Sequence, residues 1–387
     1  MDRALHLQVR SLQIQGNGGC SMNVTQPVEA NSAIQTRLTA ARLSTFGEFV
    51  DRLVTVDIQT RSQHLGLYEA ARKFVGRPLC LAAAEAILKS LKPGQLNTAI
   101  FTTGFLSPAY WCGEQDGPVG IACLARALEV GAGVRSVILT DEELVPSIEA
   151  VCVGAGYKTF DVERAMTVPK GRGIAVVGIS KDGATALRQV SALMDRMKPS
   201  FVMASERPSG NAKGEYHNLR GLNMTALTAK TDCLLDEAAR RKIVTIAVGD
   251  GGNELGYGSI EAAVEQVRPN GARCQCPCGG TVVSHAAADL VVHAAVSNWG
   301  VYGIIACLAV LLDDAKVAPA ERVVERALER AADTAGDDGR LGWVDIGSDG
   351  VDGSLELGVV GLLRTMALEM IELANPRRKL VYGVGDG

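Results

Sequence analysis

No run of about 18 apolar residues occurs in this 387-residue chain, and a membrane-spanning helix needs one. The first ten residues break their apolar positions with charges and so lack the apolar stretch of a secretory signal. An excess of one charge is missing too: 39 Lys and Arg stand against 43 Asp and Glu, a net charge of −4. That balance gives neither nucleic acid nor an anionic membrane a basic footprint to bind. A cytoplasmic protein is expected. Two nucleotide loops are also missing. Counted from Gly249, the sixth position of a Gly-x-Gly-x-x-Gly loop is Glu254, and no Gly-Lys-Ser/Thr is present. The phosphate cradles those motifs build are therefore not expected, nor is a nucleotide cofactor.

What is present is ordinary for a globular chain: 47% apolar and 21% charged residues, with length for one large domain or two. Ten cysteines are spread along it. Cys80, Cys123, Cys152 and Cys307 lie in apolar runs and read as buried thiols rather than a disulfide framework. Cys274-Gln-Cys276-Pro-Cys278, with His285 seven residues on, carries the donor types of a zinc site. Its Cys-x-Cys-x-Cys spacing lacks the usual two-residue spacer, so a surface loop is the favoured reading.

Residues 1–42 read as a flexible leader and 376–387 as a tail. The stretch 43–375 reads as one α/β domain, with a division into two lobes near 160–200 left open. Helical patterns cover 46–67 and 79–91, the second stopped by Pro93-Gly94. Six apolar or β-branched runs follow, at 97–103, 134–140, 173–179, 201–205, 244–248 and 290–296. Each ends in a polar or acidic cluster, and several give way to a helical pattern. This alternation predicts a doubly wound, mostly parallel sheet with helices on both faces and an active site at the strand C-terminal ends. One or two antiparallel strands remain open. Beyond Leu312 a charged helix over 318–332 is expected to expose one face. The stretch 337–353, with Asp345, Asp349 and Asp352, lacks the closing Glu of a calcium loop and reads as a turn-rich connection. Another helix follows over 355–373.

The run 244–248 leads into Gly249-Asp250-Gly251-Gly252-Asn253-Glu254, where glycines bring two carboxylates and a carboxamide close to any ligand. The loop is similar to the acidic loop of haloacid-dehalogenase-type phosphatases. Asp57-Ile-Gln59, however, lacks the second acid of their Asp-x-Asp nucleophile. A site using Asp250 and Glu254 is the preferred reading.

Five motifs in order give a more specific likeness: Thr103-Gly-Phe105, Gly113-Glu-Gln-Asp-Gly-Pro118, Glu206-Arg-Pro208 with Gly214-Glu-Tyr-His-Asn218, the loop 249–254, and Ser297-Asn-Trp-Gly300. From about residue 50 to about 312, and weakly to about 375, the chain resembles the D-glutamate cyclase family. It departs at Gln115, where Thr is expected, and at the Cys-rich stretch 274–278. The resemblance implies a carbon–oxygen lyase that cyclises D-glutamate to 5-oxo-D-proline.

That reaction makes three demands. The ammonium must lose a proton, at a cost of about 3 kcal/mol for an amine titrating two units above ambient pH. The distal carboxylate must be made electrophilic, and the chain ends must be held together. The expected catalytic groups are Asp250, Glu254, Glu114 and His217, the last with Tyr216 as a proton relay. Arg207, with Arg220, is expected to clamp substrate carboxylates. Thr103, Asn218, Asn253, Ser297 and Asn298 would supply neutral contacts, and Trp299 would pack beneath. Glu114, Asp116, Asp250 and Glu254 form an oxygen ligand pool for a divalent cation, Mn²⁺ or Mg²⁺. The substrate is a small molecule, and a homo-oligomer is compatible with the sequence. Two rivals keep the same acids: a metal-dependent phosphoryl or nucleotide hydrolase, with Lys181 and Lys213 as its basic groups, and a non-catalytic module binding a D-amino acid or a metal.

Overall fold

The computed structural model describes residues 39–61, 63–107, 111–169 and 171–374. The leader expected over 1–42 lies outside them except at 39–42, where Thr39 accepts the Arg42 N–H and caps the first helix. The tail expected over 376–387 lies outside them altogether.

The helices are α1 (Ala40–Val54), α2 (Gln63–Val75), α3 (Leu79–Ser90), α4 (Pro118–Ala132), α5 (Val145–Gly154), α6 (Val162–Thr167), α7 (Gly183–Met197), α8 (Cys233–Arg240), α9 (Glu261–Val267), α10 (Ser297–Leu312), α11 (Glu321–Asp333) and α12 (Gly353–Leu373). The strands are β1 (Thr98–Thr103), β2 (Arg135–Asp141), β3 (Lys158–Thr159), β4 (Gly173–Ile179), β5 (Phe201–Ser205), β6 (Val244–Gly249), β7 (Leu290–His293), β8 (Gly347–Ser348) and β9 (Val351–Asp352).

Seven strands form one sheet in the order β3-β4-β2-β1-β5-β6-β7, and every pairing is parallel. The six expected runs are all there, as continuous apolar segments buried on both faces. None is antiparallel, and the sheet continues through both sides of 160–200. The seventh strand, β3, has two residues and no apolar run to announce it. Helices α3, α4 and α10 cover one face while α7 and α8 cover the other, which makes the fold doubly wound. Helix α10 is buried from Ser297 to Leu311, the mark of a helix apolar on every side. Helix α11 buries Val324, Ala327, Leu328 and Ala331 and exposes its charged face.

The helix expected over 46–67 is broken in two. Asp57 accepts the Arg61 N–H at 2.9 Å, closing a turn that competes with the helix. Gln59 then reaches the Asp349 carbonyl at 2.8 Å. Among the described residues no helix is long and apolar enough to cross a membrane.

The chain leaves β1 toward β2 and β4 on one side and returns through β5 toward β7 on the other. The topological switch therefore falls between β1 and β5, where a crevice opens at the carboxyl ends of an open α/β sheet.

Candidate active site

Thr103 ends β1, Glu206 follows β5, and Asp250 follows β6. Beyond Asp250 the backbone curls round the Glu254 side chain. Its Oε1 accepts the Gly251 N–H at 2.7 Å, and its Oε2 accepts that of Gly252. Gly252 sits at φ 108°, where a side chain is strained. The segment after β5 is laid against this loop: Leu255 N–H donates to the Arg207 carbonyl at 2.7 Å, and Ser209 N–H to that of Asn253 at 3.0 Å. Glu206 is thereby brought to the acid loop, itself at φ 43°, a conformation that costs energy outside glycine. One carboxylate oxygen each from Glu206, Asp250 and Glu254 lie within 4.8 Å of one another. All three residues are buried.

Burial and mutual repulsion raise the two glutamates of this cluster, as expected for like charges in a dry site. Burial and then the Asp250 charge push Glu254 up to about 7, against the pull of the Gly252 N–H. Burial, then Glu254 and Asp250, hold Glu206 well above the carboxylate range. Glu114 is raised by burial and by Asp349 and Asp337. Asp349 is raised by burial and Asp250, against Arg61. Two guanidiniums oppose this charge. Arg61 pairs with Asp250 at 3.4 Å and with Asp349. Arg268 lies behind the loop, its Nε donating to the Gly251 carbonyl at 2.5 Å and its Nη2 to that of Asp250. The surplus of carboxylates calls for protons or a cation. Donors that are all oxygen suit a hard divalent ion such as Mn²⁺ or Mg²⁺, so the residues fit that group.

Other expected residues hold the site in shape. Asp116 accepts the N–H groups of Ser297 at 3.0 Å and Asn298 at 2.7 Å, capping α10. Asn298 Oδ1 returns the favour to α4, accepting from Gly117 at 2.9 Å and Gly120 at 2.7 Å. Asp116, itself raised by burial and by the Asp250 charge, thus belongs to a clasp joining two helix N-termini. Ser297 Oγ donates to Glu206 Oε2 at 2.5 Å. Gln115 fastens the 337–353 connection, donating to the Gly336 carbonyl at 3.0 Å and to that of Asp345. Thr103 Oγ1 is buried with no hydrogen-bond partner. It faces Gly117, where a Cβ would lie 2.6 Å from both Thr103 Oγ1 and Glu206 Cβ.

The remaining expected residues are engaged by other partners. Arg207 has its guanidinium spent inside the protein: it donates to Thr231 Oγ1 at 3.0 Å, the Gly104 carbonyl at 2.8 Å, the Ala229 carbonyl at 3.0 Å, and Asp141. Four of its five N–H bonds are so used, and it braces strand ends. Arg220 is exposed, and Asn218 Oδ1 accepts the N–H groups of Arg220 and Leu222, each at 3.1 Å, closing a turn. His217 turns Nε2 onto Cys276 Sγ at 3.1 Å rather than onto the acids. Its would-be relay partner Tyr216 packs with Phe105 and Met224. Asn253 Nδ2 donates to the His217 carbonyl at 2.9 Å. Trp299 is buried in the core.

Lys181 pairs with Glu143, and Lys213 Nζ donates to the Cys278 carbonyl at 2.7 Å, so neither forms a phosphate cradle at the acids. Glu206, Arg61, Arg268 and Asp349 escaped the site list drawn from sequence. Glu206 at least stood at a strand end among the acids; Arg61 and Asp349 sit in turns with no local pattern. Beneath the loop, His64 Nδ1 meets His293 Nε2 at 3.2 Å, and His293 Nδ1 meets the Tyr257 hydroxyl at 2.7 Å. Burial lowers both histidines.

Residues 58–364 match the family model described as D-glutamate cyclase-like, C-terminal. A human protein named D-glutamate cyclase, mitochondrial, is 29% identical over 246 residues, covering 61% of this chain. The match spans only 36% of that relative's length.

Proposed function

The chain belongs to the D-glutamate cyclase-like family, and we propose from that premise that it closes D-glutamate to 5-oxo-D-proline and water. The observation that carries the reading is the buried carboxylate trio Glu206, Asp250 and Glu254 at the sheet's switch point, beside an unpartnered Thr103 hydroxyl. In the reaction the α-nitrogen bonds to the distal carboxyl carbon and one C–O bond breaks. Of the three ammonium protons, two leave with the departing oxygen as water and one stays on the ring nitrogen.

Negative charge at the strand ends draws in the substrate ammonium and sets the nitrogen among groups able to take a proton. Glu114, half-buried and raised by the charges of Asp349, Asp337, Asp116 and Asp250, is the proton acceptor in this reading. Arg61, half-buried and already engaged by Asp250, Asp349 and Gln59, takes the place of Arg207 as the carboxylate partner by exchanging an internal acid for the substrate's, since a guanidinium forks onto such a group. The Thr103 hydroxyl bonds the substrate. A divalent cation held by Glu206, Asp250 and Glu254 would draw charge off the distal carboxylate. The nine described cysteines are free thiols, which suits a reducing compartment such as the cytoplasm.

The test is incubation of purified protein with D-glutamate and, separately, L-glutamate, with and without EDTA and added Mn²⁺, followed by chiral chromatography. 5-Oxoproline from the D-isomer alone, lost on chelation and restored by Mn²⁺, is expected. No product under any condition contradicts the reading.

A further inference from the structure

We propose a second metal site in this chain, a structural zinc ion held by His217, Cys274, Cys276 and Cys278, separate from the carboxylate trio. One ligand atom from each of the four lies within 4.8 Å of the others. His217 Nε2 is 3.1 Å from Cys276 Sγ and 3.7 Å from Cys278 Sγ. Cys274 Sγ is 3.5 Å from Cys276 Sγ and 3.3 Å from Cys278 Sγ. A zinc tetrahedron with bonds of about 2.3 Å to sulfur and about 2.0 Å to nitrogen has edges of roughly 3.5–3.8 Å. The four atoms need move only slightly to close on an ion.

The imidazole is not the one that proximity in sequence suggests. His285 is exposed and lies 3.9 Å from Glu261. His217 comes instead from the other side of the fold's loop cluster, some sixty residues upstream.

A second observation points the same way. N–H groups are aimed at the sulfurs: Cys278 N–H donates to Cys276 Sγ at 3.4 Å, and Gly280 N–H to Cys278 Sγ at 3.3 Å. The Asn223 side chain approaches Cys276 Sγ at 3.7 Å, and that of Asn211 approaches Cys278 Sγ at 3.9 Å. Donors converging on sulfur stabilise thiolates, the ligand form, and such outer contacts orient metal ligands. Three soft sulfurs and one imidazole select zinc over the hard cations suited to the acids. Four protein ligands leave no position for substrate, so the ion is structural. It ties the loop 274–280 to the segment around His217, whose carbonyl holds Asn253 of the acid loop.

The inference stands apart from the cyclase reading and is tested without substrate. Protein purified without chelator is analysed for metal by inductively coupled plasma mass spectrometry. About one zinc per chain is expected, retained through dialysis, and lost in Cys276→Ser/Cys278→Ser but kept in Glu206→Gln. Cobalt added to zinc-stripped wild type should give the visible and near-ultraviolet bands of a tetrahedral thiolate site, a readout that survives failure of the double variant to fold. Wild type that takes up neither zinc nor cobalt under reducing conditions overturns the proposal. So does recovery of a Cys274–Cys278 cross-link from freshly purified protein.

Discussion

A buried hydroxyl left unpaired costs about 1–3 kcal/mol, and Thr103 Oγ1 is one at the end of the central strand. Its presence there makes physical sense if the partner is the substrate. Thr103→Val keeps the shape and removes the orphan. Thermal stability should hold or rise slightly, while kcat/KM for D-glutamate falls about tenfold, the worth of one net hydrogen bond. Thermal melts and steady-state kinetics decide it; unchanged kcat/KM would remove Thr103 from the substrate contacts. Glu206 carries the opposite lesson. The sequence showed an acid at a strand end, but the backbone pairing of 206–209 with 253–255 is what turns it onto Asp250 and Glu254.

At the scale of elements, the strands were legible because a parallel strand buried on both faces is a continuous apolar run. Two features were not. The two-residue β3 has no run to read, and the break after α1 depends on Asp57 and on Gln59 reaching Asp349, some 290 residues away. The surroundings of Arg207 were not legible for the same reason. Its type suits a carboxylate clamp, yet its partners Asp141, Gly104 and Ala229 lie on three separate segments. Removing it should leave Asp141 buried without its ion-pair partner. Arg207→Met is expected to cost about 3–5 kcal/mol in urea unfolding, with part of that recovered in Arg207→Met/Asp141→Leu. A raised KM with stability intact would instead restore Arg207 as a substrate clamp.

For the whole molecule, crowding acids at the switch point makes stability depend on pH and cations. Glu254 is raised in the fold to about 7, against about 4.3 in an unfolded chain. The stability from its protonation is full below the unfolded value and is lost as pH rises through about 7. His64 and His293 oppose this: both are lowered by burial, so their contribution is lost as pH falls below about 6.5. The comparison to make is therefore between wild type and Glu254→Gln. Without metal, wild type should gain more in Tm than the variant on going from pH 8 to pH 6. Mn²⁺ should raise the wild-type Tm more at pH 8 than at pH 6, because protons and cation compete for the same oxygens. Parallel Tm profiles with no cation effect would show the trio neither titrating nor binding.

The central claim, cyclisation at that trio, is met most directly by the chiral assay run on wild type and Glu206→Gln side by side, each first shown to be folded. The account predicts 5-oxo-D-proline from wild type and at least a hundredfold less from the variant, as for loss of a group that stabilises the transition state. Equal turnover by the two proteins, or none by wild type with Mn²⁺ present, contradicts it.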